Sequence, residues 1–143
     1  MKLISSFVLL TLIYFVAGSC SSTKDTQKAA SQLSQNNWLL FSIRSQEVTI
    51  PEGAKIPQLT FDTQNMRVSG NGGCNTISGS FKVNKQNLSF GPIASTRMAC
   101  PGSDVEPKFL DALSRTAKYS MYNGKLVLND SSGTQLMVFD PVK

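Results

Sequence analysis

The stretch YSMYNGKLVL, residues 119–128, carries the clearest β-hairpin signal in this sequence of 143 residues. Asn123-Gly124 stands between two runs of strand-forming residues, and this dipeptide favours a two-residue turn in which both positions adopt a positive φ. Similar patterns extend along the chain from this hairpin. The predicted strands are 38–46, 58–61, 66–69, 80–83, 87–90, 119–122, 125–128 and 134–139. Most of the chain beyond residue 37 is therefore predicted to form antiparallel strands.

One helix is predicted between these strands. Ser103 followed by Glu106 forms a capping-box pattern, and Pro107 is tolerated because it lies in the first helical turn. The predicted apolar face of this helix comprises Val105, Phe109, Ala112, Leu113 and Thr116. The sequence thus predicts an α+β fold: a curved antiparallel β-sheet or a partly open small barrel with one covering α-helix.

The first 20 residues have the pattern of a secretory signal. Lys2 gives a positive start, and the apolar run over 3–17 is shorter than the roughly 20 residues that a helix needs to cross a bilayer. The run ends in AGSC, residues 17–20, which resembles the lipobox of bacterial lipoproteins with alanine where leucine is usual. This resemblance implies a signal peptide over 1–19 and fatty acylation of Cys20, such as with palmitate. The alternative is an ordinary signal peptide with an incidental cysteine.

The segment after Cys20 is polar. Residues 21–37, SSTKDTQKAASQLSQNN, contain one leucine and no aromatic residue, so they cannot bury enough apolar surface to fold alone. The sequence predicts a lipidated cysteine and flexible tether over 20–37, which would hold the domain on the order of 20–25 Å from the membrane. Ser21 rather than aspartate follows Cys20, and a resemblance to enterobacterial sorting favours the outer membrane. We therefore expect a cell-envelope protein, at the periplasmic face or the cell surface.

Charge and composition exclude several functions. The 14 basic and 9 acidic residues are scattered, without the basic, aromatic-interleaved stripe that nucleic-acid binding requires. Histidine is absent from the sequence, so no Ser-His or Cys-His pair can form. The carboxylates Asp104, Glu106 and Asp111 are explained by their places on or next to the predicted helix. The sequence therefore predicts no catalytic residue, no metal site and no cofactor.

Two motifs lie in the middle of the chain. The first, GNGGCNTISGSF at 70–81, holds four glycines in ten residues, which predicts positive φ or close backbone approach rather than a regular strand. It lacks the Gly-Lys-Ser/Thr ending of a phosphate-binding loop. The second, GPIASTRMAC, occupies 91–100.

Together these motifs resemble the META domain, the family that includes HslJ-type heat-shock lipoproteins. The matching blocks are 38–39, 59–61, 68–70, 73–75, Gly79, Phe81, 93–100, 109–110, Leu113, Tyr119, Leu126 and Leu128. The resemblance covers nearly all of the predicted domain, 38–143. It implies one β-rich domain with one helix, often lipid-anchored and linked to envelope stress or heat shock, and it implies no catalytic activity.

Three cysteines have to be assigned. With Cys20 lipidated, Cys74 and Cys100 remain as an even pair in an oxidising compartment, where disulfides persist. A bridge between them would close a loop of about 27 residues and stabilise the fold by about 3 kcal/mol. Two buried free thiols are the alternative. A metal or redox site is disfavoured, since the sequence has neither histidine nor a CxxC motif.

Two polar residues in the motifs are candidates for binding. Arg97 is either a buried or half-buried guanidinium satisfied by backbone carbonyls or a carboxylate, or an anion contact at a binding groove. Asn75 suits a turn with positive φ and, secondarily, a ligand contact. Trp38 is predicted to fill the core at the start of the domain.

The expected function follows from these features together. We expect a non-enzymatic, lipid-anchored, monomeric envelope protein that acts by binding or by stabilising an envelope protein partner, with a link to stress. The alternative is a small carrier that holds an apolar ligand inside a curved sheet, which requires an apolar cavity of at least ~300 Å³ with a mouth.

Overall fold

A computed structural model describes residues 21–99 and 104–142. Within these ranges the chain forms ten antiparallel strands and two helices. The elements are α1 (Ser21–Ser34), β1 (Asn37–Ile43), β2 (Gln46–Glu47), β3 (Gln58–Asp62), β4 (Arg67–Asn71), β5 (Thr76–Asn84), β6 (Asn87–Phe90), β7 (Ala94–Ser95), α2 (Val105–Arg115), β8 (Lys118–Tyr122), β9 (Lys125–Asn129) and β10 (Gln135–Val142). The predicted α+β class is confirmed.

The sheet curves into a ring because β1 pairs with both β3 and β10. Between these two strands the order around the ring is β3, β4, β5, β6, β8, β9 and β10. The pairing of β6 with β8 rests on one register pair, Asn87 with Lys118. Because this pairing is so short, the sheet is ring-like rather than a strict barrel. The predicted curved antiparallel sheet is confirmed.

Alternating side chains from the strands fill the inside of the ring. Along β5 the buried positions alternate with more exposed ones, as expected for a strand with one face on a core. The rings of Phe61 and Phe81 meet edge to face at 5.1 Å between centroids, and those of Phe109 and Phe139 lie 6.2 Å apart. Trp38 is fully buried in the same core, as the sequence predicts.

The predicted turns largely have the conformations that their residues favour. Asn123 and Gly124 both adopt positive φ, 49° and 78°, which confirms the two-residue turn between β8 and β9. Asp62 caps the turn between β3 and β4, where its Oδ1 accepts hydrogen bonds from the backbone N–H groups of Gln64 and Asn65.

The prediction of one strand over 38–46 is wrong at its end. The strand β1 stops at Ile43, and Arg44 and Ser45 form a tight turn with φ of 48° and 64°. The chain then returns as β2, where Gln46 pairs with Ile43. Sequence alone gives no turn signal here, because arginine and serine seldom occupy both positive-φ positions of such a turn.

The helix α2 matches the predicted one closely. Val105, Phe109, Ala112 and Leu113 are buried, as their spacing predicts. The N-cap is Asp104 rather than Ser103, which lies outside the described residues, and the Asp104 side chain makes no capping hydrogen bond. Its carboxylate instead pairs with Lys108 one turn later.

The predictions of a flexible tether and of a single helix are both wrong for the described residues. Residues 21–34 form α1, which packs against β5 and β3. Ala29 and Leu33 are buried in the main core, and the Trp38 indole Nε1–H donates to the Leu33 carbonyl at 2.8 Å. The segment cannot fold alone, but two apolar residues four positions apart suffice to dock it on an existing sheet. No helix in the described part of the chain is long and apolar enough to cross a membrane.

Candidate functional site

A partly buried hydrogen-bond cluster joins the two sequence motifs to α2. Its centre is Asn75, which is only 6% exposed. The Asn75 side-chain amide donates to Glu106 Oε1 at 2.8 Å, while its Oδ1 accepts from the Thr96 hydroxyl at 3.0 Å and from the Met98 backbone N–H at 2.8 Å. We call Asn75, Glu106, Ser95 and Thr96 the clasp. It ties the segment before β5 to the segment after β7 and to the first turn of α2.

The Glu106 carboxylate accepts the other hydrogen bonds of the clasp. The backbone N–H groups of Asn75 and Cys74 donate to its Oε2 at 2.8 and 3.4 Å, and the Ser95 hydroxyl donates to Oε1 at 3.3 Å. The sequence predicts Glu106 to be a first-turn charge and half of a capping box. The carboxylate instead crosses to the glycine-rich motif, where it satisfies donors that a turn leaves without backbone partners.

The clasp also sets the charge state of Glu106. Partial burial raises the pKa of this carboxyl, but the hydrogen bonds from the backbone and side chain of Asn75, from Cys74 and from Ser95 outweigh burial, so its pKa lies below the ordinary value. Glu106 is therefore a carboxylate at neutral pH. Its role is to hold the two motifs together, because its oxygens are occupied by protein donors.

Two glycines allow the clasp to form. A Cβ at Gly72 would lie 2.8 Å from Glu106 Cγ, and one at Gly79 would lie 2.5 Å from Ile93 Cδ1. The predicted close approach of backbone is thus confirmed. The prediction that 70–81 contains no regular strand is wrong, because β4 reaches Asn71 and β5 begins at Thr76. Gly79 fits within β5 because the 92–93 segment passes directly over it.

The structure changes the interpretation of the two candidate binding residues. Asn75 does not have a positive φ. Its buried side-chain amide instead joins its own segment to residues 96–98 and to the first turn of α2. Arg97 is exposed rather than buried, which removes the structural interpretation of its guanidinium. Its neighbour Met98 is 60% exposed, although its backbone is fixed by Asn75.

Two further exposed side chains lie on the segment beside the glycine-rich motif. The Lys55 backbone N–H donates to the Gly73 carbonyl at 2.9 Å, so the 55–56 segment lies beside the glycine-rich motif. Lys55 is exposed, and Ile56 is 45% exposed. Hydrogen bonds to the glycine-rich motif and to Asn75 therefore fix two segments, and these segments carry two exposed cations and two exposed apolar side chains. We call Lys55, Ile56, Arg97 and Met98 the clasp surface.

The remaining predicted site residues lie at or beyond the limits of the described chain. Cys20 and Cys100 are outside the described residues, so acylation of Cys20 and the Cys74–Cys100 bridge stay predictions. In the described ranges, no group of three or more cysteine, aspartate or glutamate side chains is placed to hold a metal ion. Among the described acidic side chains, Asp62 and Asp130 cap turns, Asp104 and Asp111 form ion pairs, and Glu106 belongs to the clasp.

The ring-like sheet, the two helices and the clasp define a small α+β domain in which the two sequence motifs form one polar cluster. The chain belongs to the META domain family, which matches residues 31–143. The match begins inside α1, in agreement with the docking of that helix on the domain. None of the curated proteins matches the chain.

Three solved structures share this fold. A protein from Burkholderia xenovorans, solved by NMR, is 28% identical, with a TM-score of 0.63 over 81% of this chain and 88% of its own. A second NMR structure is 23% identical, with a TM-score of 0.61 over 78% and 93%. A DUF4847 family protein from Bacteroides vulgatus is 14% identical, with a TM-score of 0.55 over 78% and 96%. The last two are similar in fold alone.

Proposed function

We propose that this META-domain protein is a non-enzymatic binding protein of the cell envelope and that it contacts its partner through the clasp surface. One observation carries the proposal: the buried Asn75 side chain accepts hydrogen bonds from the Thr96 hydroxyl and the Met98 backbone N–H, on either side of Arg97, while the side chains of Arg97 and Met98 are exposed. A fixed backbone reduces the entropy lost when a partner binds. Arginine and methionine are also enriched in protein–protein interfaces.

The chemistry of the clasp surface defines the class of partner. Arg97 and Lys55 offer positive charge, and Met98 and Ile56 offer exposed apolar area. An envelope protein that presents carboxylates beside apolar side chains complements such a surface. The filled interior of the ring supports this proposal over the carrier, since the aromatic rings of the core occupy the space that an apolar ligand would need.

Site-specific crosslinking in intact cells tests the partner contact. A photo-reactive phenylalanine analogue in place of Met98 should yield a discrete crosslinked product, and the same analogue in place of Gln64, on the exposed β3–β4 turn, should not. Arg97→Glu should remove most of that product, whereas Arg67→Glu, the same charge change on an exposed face of β4, should leave it. Equal crosslinking from both positions, or no effect of Arg97→Glu, would contradict the proposal.

We further propose that Cys20 is acylated and anchors the protein to the outer membrane. The start of α1 at Ser21 supports a short connection between lipid and domain. Asp25 lies 3.8 Å from Lys85, and the Thr26 hydroxyl lies 3.5 Å from Asn84, so the first half of α1 is also tied to the β5–β6 turn. A lipid on Cys20 would then hold this turn near the headgroups, without the long tether expected from composition.

Fractionation tests the anchor. Wild-type protein should sediment with outer membranes and incorporate a fatty-acid analogue, while Cys20→Ser should do neither. Thr23→Ser, which lies outside the AGSC stretch and keeps the cysteine, serves as the control. Incorporation into Cys20→Ser, or membrane association that does not depend on Cys20, would contradict acylation.

We also propose the bridge between Cys74 and Cys100. The clasp supports this bridge, because Asn75, the residue after Cys74, bonds to Met98, which lies two residues before Cys100. Thiol counting on denatured protein from the envelope should find no free thiol, and Cys74→Ala should release one. Two free thiols in the wild type under non-reducing conditions would contradict the bridge. The link to heat shock and envelope stress rests on the family resemblance and stays a prediction.

A further inference from the structure

A short strand at the open end of the strand order has a free edge. β2 pairs with β1 and with no other described strand. The Val48 N–H donates to the Phe41 carbonyl at 3.1 Å. Because successive residues of an antiparallel pair point their backbone groups alternately toward and away from the partner, the backbone groups of Glu47 and Thr49 face away from β1. Such an edge can accept an additional strand.

A groove of about 550 Å³ runs beside this edge, between 46–49 and α2. We call it the β2–α2 groove. Ile43 and Val105, both buried, and the half-buried Val48 form its apolar floor. The floor can receive an apolar side chain of an added strand, while the edge of β2 pairs with the backbone of that strand. The groove lies on different elements from the clasp surface.

The charged side chains around the groove determine which charge a bound ligand should carry. The Arg44 guanidinium pairs with the Asp111 carboxylate at 3.2 Å, and the Lys108 ammonium pairs with Asp104. Both cations of the groove are therefore already engaged by carboxylates. Glu47, the third lining carboxylate, is exposed and forms no ion pair with the described residues. The groove thus has a surplus of negative charge at the strand edge.

The turn at the tip of this hairpin is unusual. Arg44 and Ser45 adopt positive φ, the conformation that Asn123 and Gly124 adopt at lower energy in the β8–β9 turn. The Arg44 guanidinium donates to the Asp111 carboxylate across the end of the groove. Strained backbone that persists in this way is frequent at binding sites.

From these four observations we infer that the β2–α2 groove binds an extended basic peptide. The peptide adds a strand along Glu47–Thr49, places an apolar side chain on the floor at Ile43 and Val105, and pairs a lysine or arginine with Glu47. This inference goes beyond the proposed function, because it assigns a second binding site with a partner of the opposite charge.

Titration of the full chain with a synthetic peptide tests the inference. The probe is an acetylated and amidated hexapeptide that alternates valine with lysine. In amide NMR spectra we expect the shifts to concentrate at residues 46–49 and at Val105, Glu106 and Lys108. Glu47→Lys should weaken binding by about fivefold or more. Glu52→Lys makes the same charge change in the β2–β3 connection but does not line the groove, so it should weaken binding by less than about twofold.

Two altered peptides and one further measurement complete the test. A hexapeptide that alternates valine with glutamate should bind more weakly than the lysine peptide. The lysine peptide methylated on alternate backbone nitrogens should also bind more weakly, because it cannot donate to the strand edge. Equal binding by either altered peptide would overturn the inference. Sedimentation showing that β2 edges pair in a dimer, dispersed by Glu47→Lys, would overturn it as well.

Discussion

The two helices cover the same sheet but are held on it by different means. α2 buries Val105, Phe109, Ala112 and Leu113 and is fixed at its first turn by the clasp. α1 buries Ala29 and Leu33, accepts one hydrogen bond from Trp38 and has no acidic residue in its first turn. α2 is therefore part of the core, and α1 is a polar helix docked by a few contacts.

This difference teaches which segments of a protein can open separately. Regions with few buried apolar contacts open at a lower free energy than the global unfolding of the domain. We expect α1 to undock while the ring and α2 stay folded. The difference bears on the anchor, because an undocked α1 would lengthen the connection between Cys20 and the ring.

The largest expected effect is that of emptying the core under α2. Phe109 is fully buried and packs on Phe139, so Phe109→Ala should lower the free energy of unfolding by about 3–5 kcal/mol. Urea denaturation followed by tryptophan fluorescence measures this change. Lys108→Ala, on the exposed side of the same helix, should change stability by less than about 0.5 kcal/mol. A loss below about 1 kcal/mol for Phe109→Ala would show that α2 is not integral to the core.

Leu33→Ala should destabilise the docking of α1 more than the fold of the whole domain. The side chain is fully buried, so its removal costs about 2–4 kcal/mol of the free energy that docks α1. Native-state hydrogen exchange should show faster exchange at residues 29–34 and nearly unchanged exchange in β9. Gln27→Ala, exposed on the same helix, is the control. Equal acceleration in α1 and β9 would mean that α1 opens only with the whole domain.

The contrast between the helices also explains what the sequence could reveal. The period of Phe109, Ala112 and Leu113 predicts α2, and Asn123-Gly124 predicts its hairpin, because both signals are local. α1 escapes such reasoning because its helix depends on a surface made by distant strands. Composition correctly indicates that 21–37 cannot fold alone, but it does not say whether a surface exists to receive them.

The site was half predictable for the same reason. Asn75 and Arg97 stand in motifs that attract attention, although Asn75 does not have the positive φ predicted for it and Arg97 is exposed rather than buried. Glu106 looks like an ordinary first-turn carboxylate, and its partners lie 11 to 32 residues away in sequence. A clue was available in Gly72, because a glycine-rich loop needs acceptors for its backbone donors and a nearby carboxylate can supply them.

Glu106→Gln should have a smaller effect than either core substitution. Glutamine keeps the shape but has one acceptor oxygen where the clasp uses two, so a donor on Asn75 would face an amide N–H₂ group. We expect a loss of about 1–3 kcal/mol at neutral pH, measured by urea denaturation. Glu52→Gln, at an exposed position, should be near neutral. An unchanged stability in Glu106→Gln would mean that the clasp contributes nothing to holding α2.

The smallest expected effect is the pH dependence of the stability difference between wild type and Glu106→Gln. The pKa of Glu106 is lowered in the folded protein by its hydrogen bonds, which outweigh burial, from an ordinary value of 4.5. A carboxyl with a lowered pKa binds fewer protons in the native state than in the unfolded state, so its contribution is complete above pH 4.5 and is lost as pH falls through the native pKa. The stability difference between wild type and Glu106→Gln should therefore be constant near neutral pH and shrink below about pH 4.5.

Asp62, Asp104 and Asp130 also have lowered pKa values, but both proteins share them and their effects cancel in the difference. A difference that stays constant through the acid range would show that the clasp does not depend on the charge of Glu106. The attachment of α2 would then rest on the packing of its apolar face.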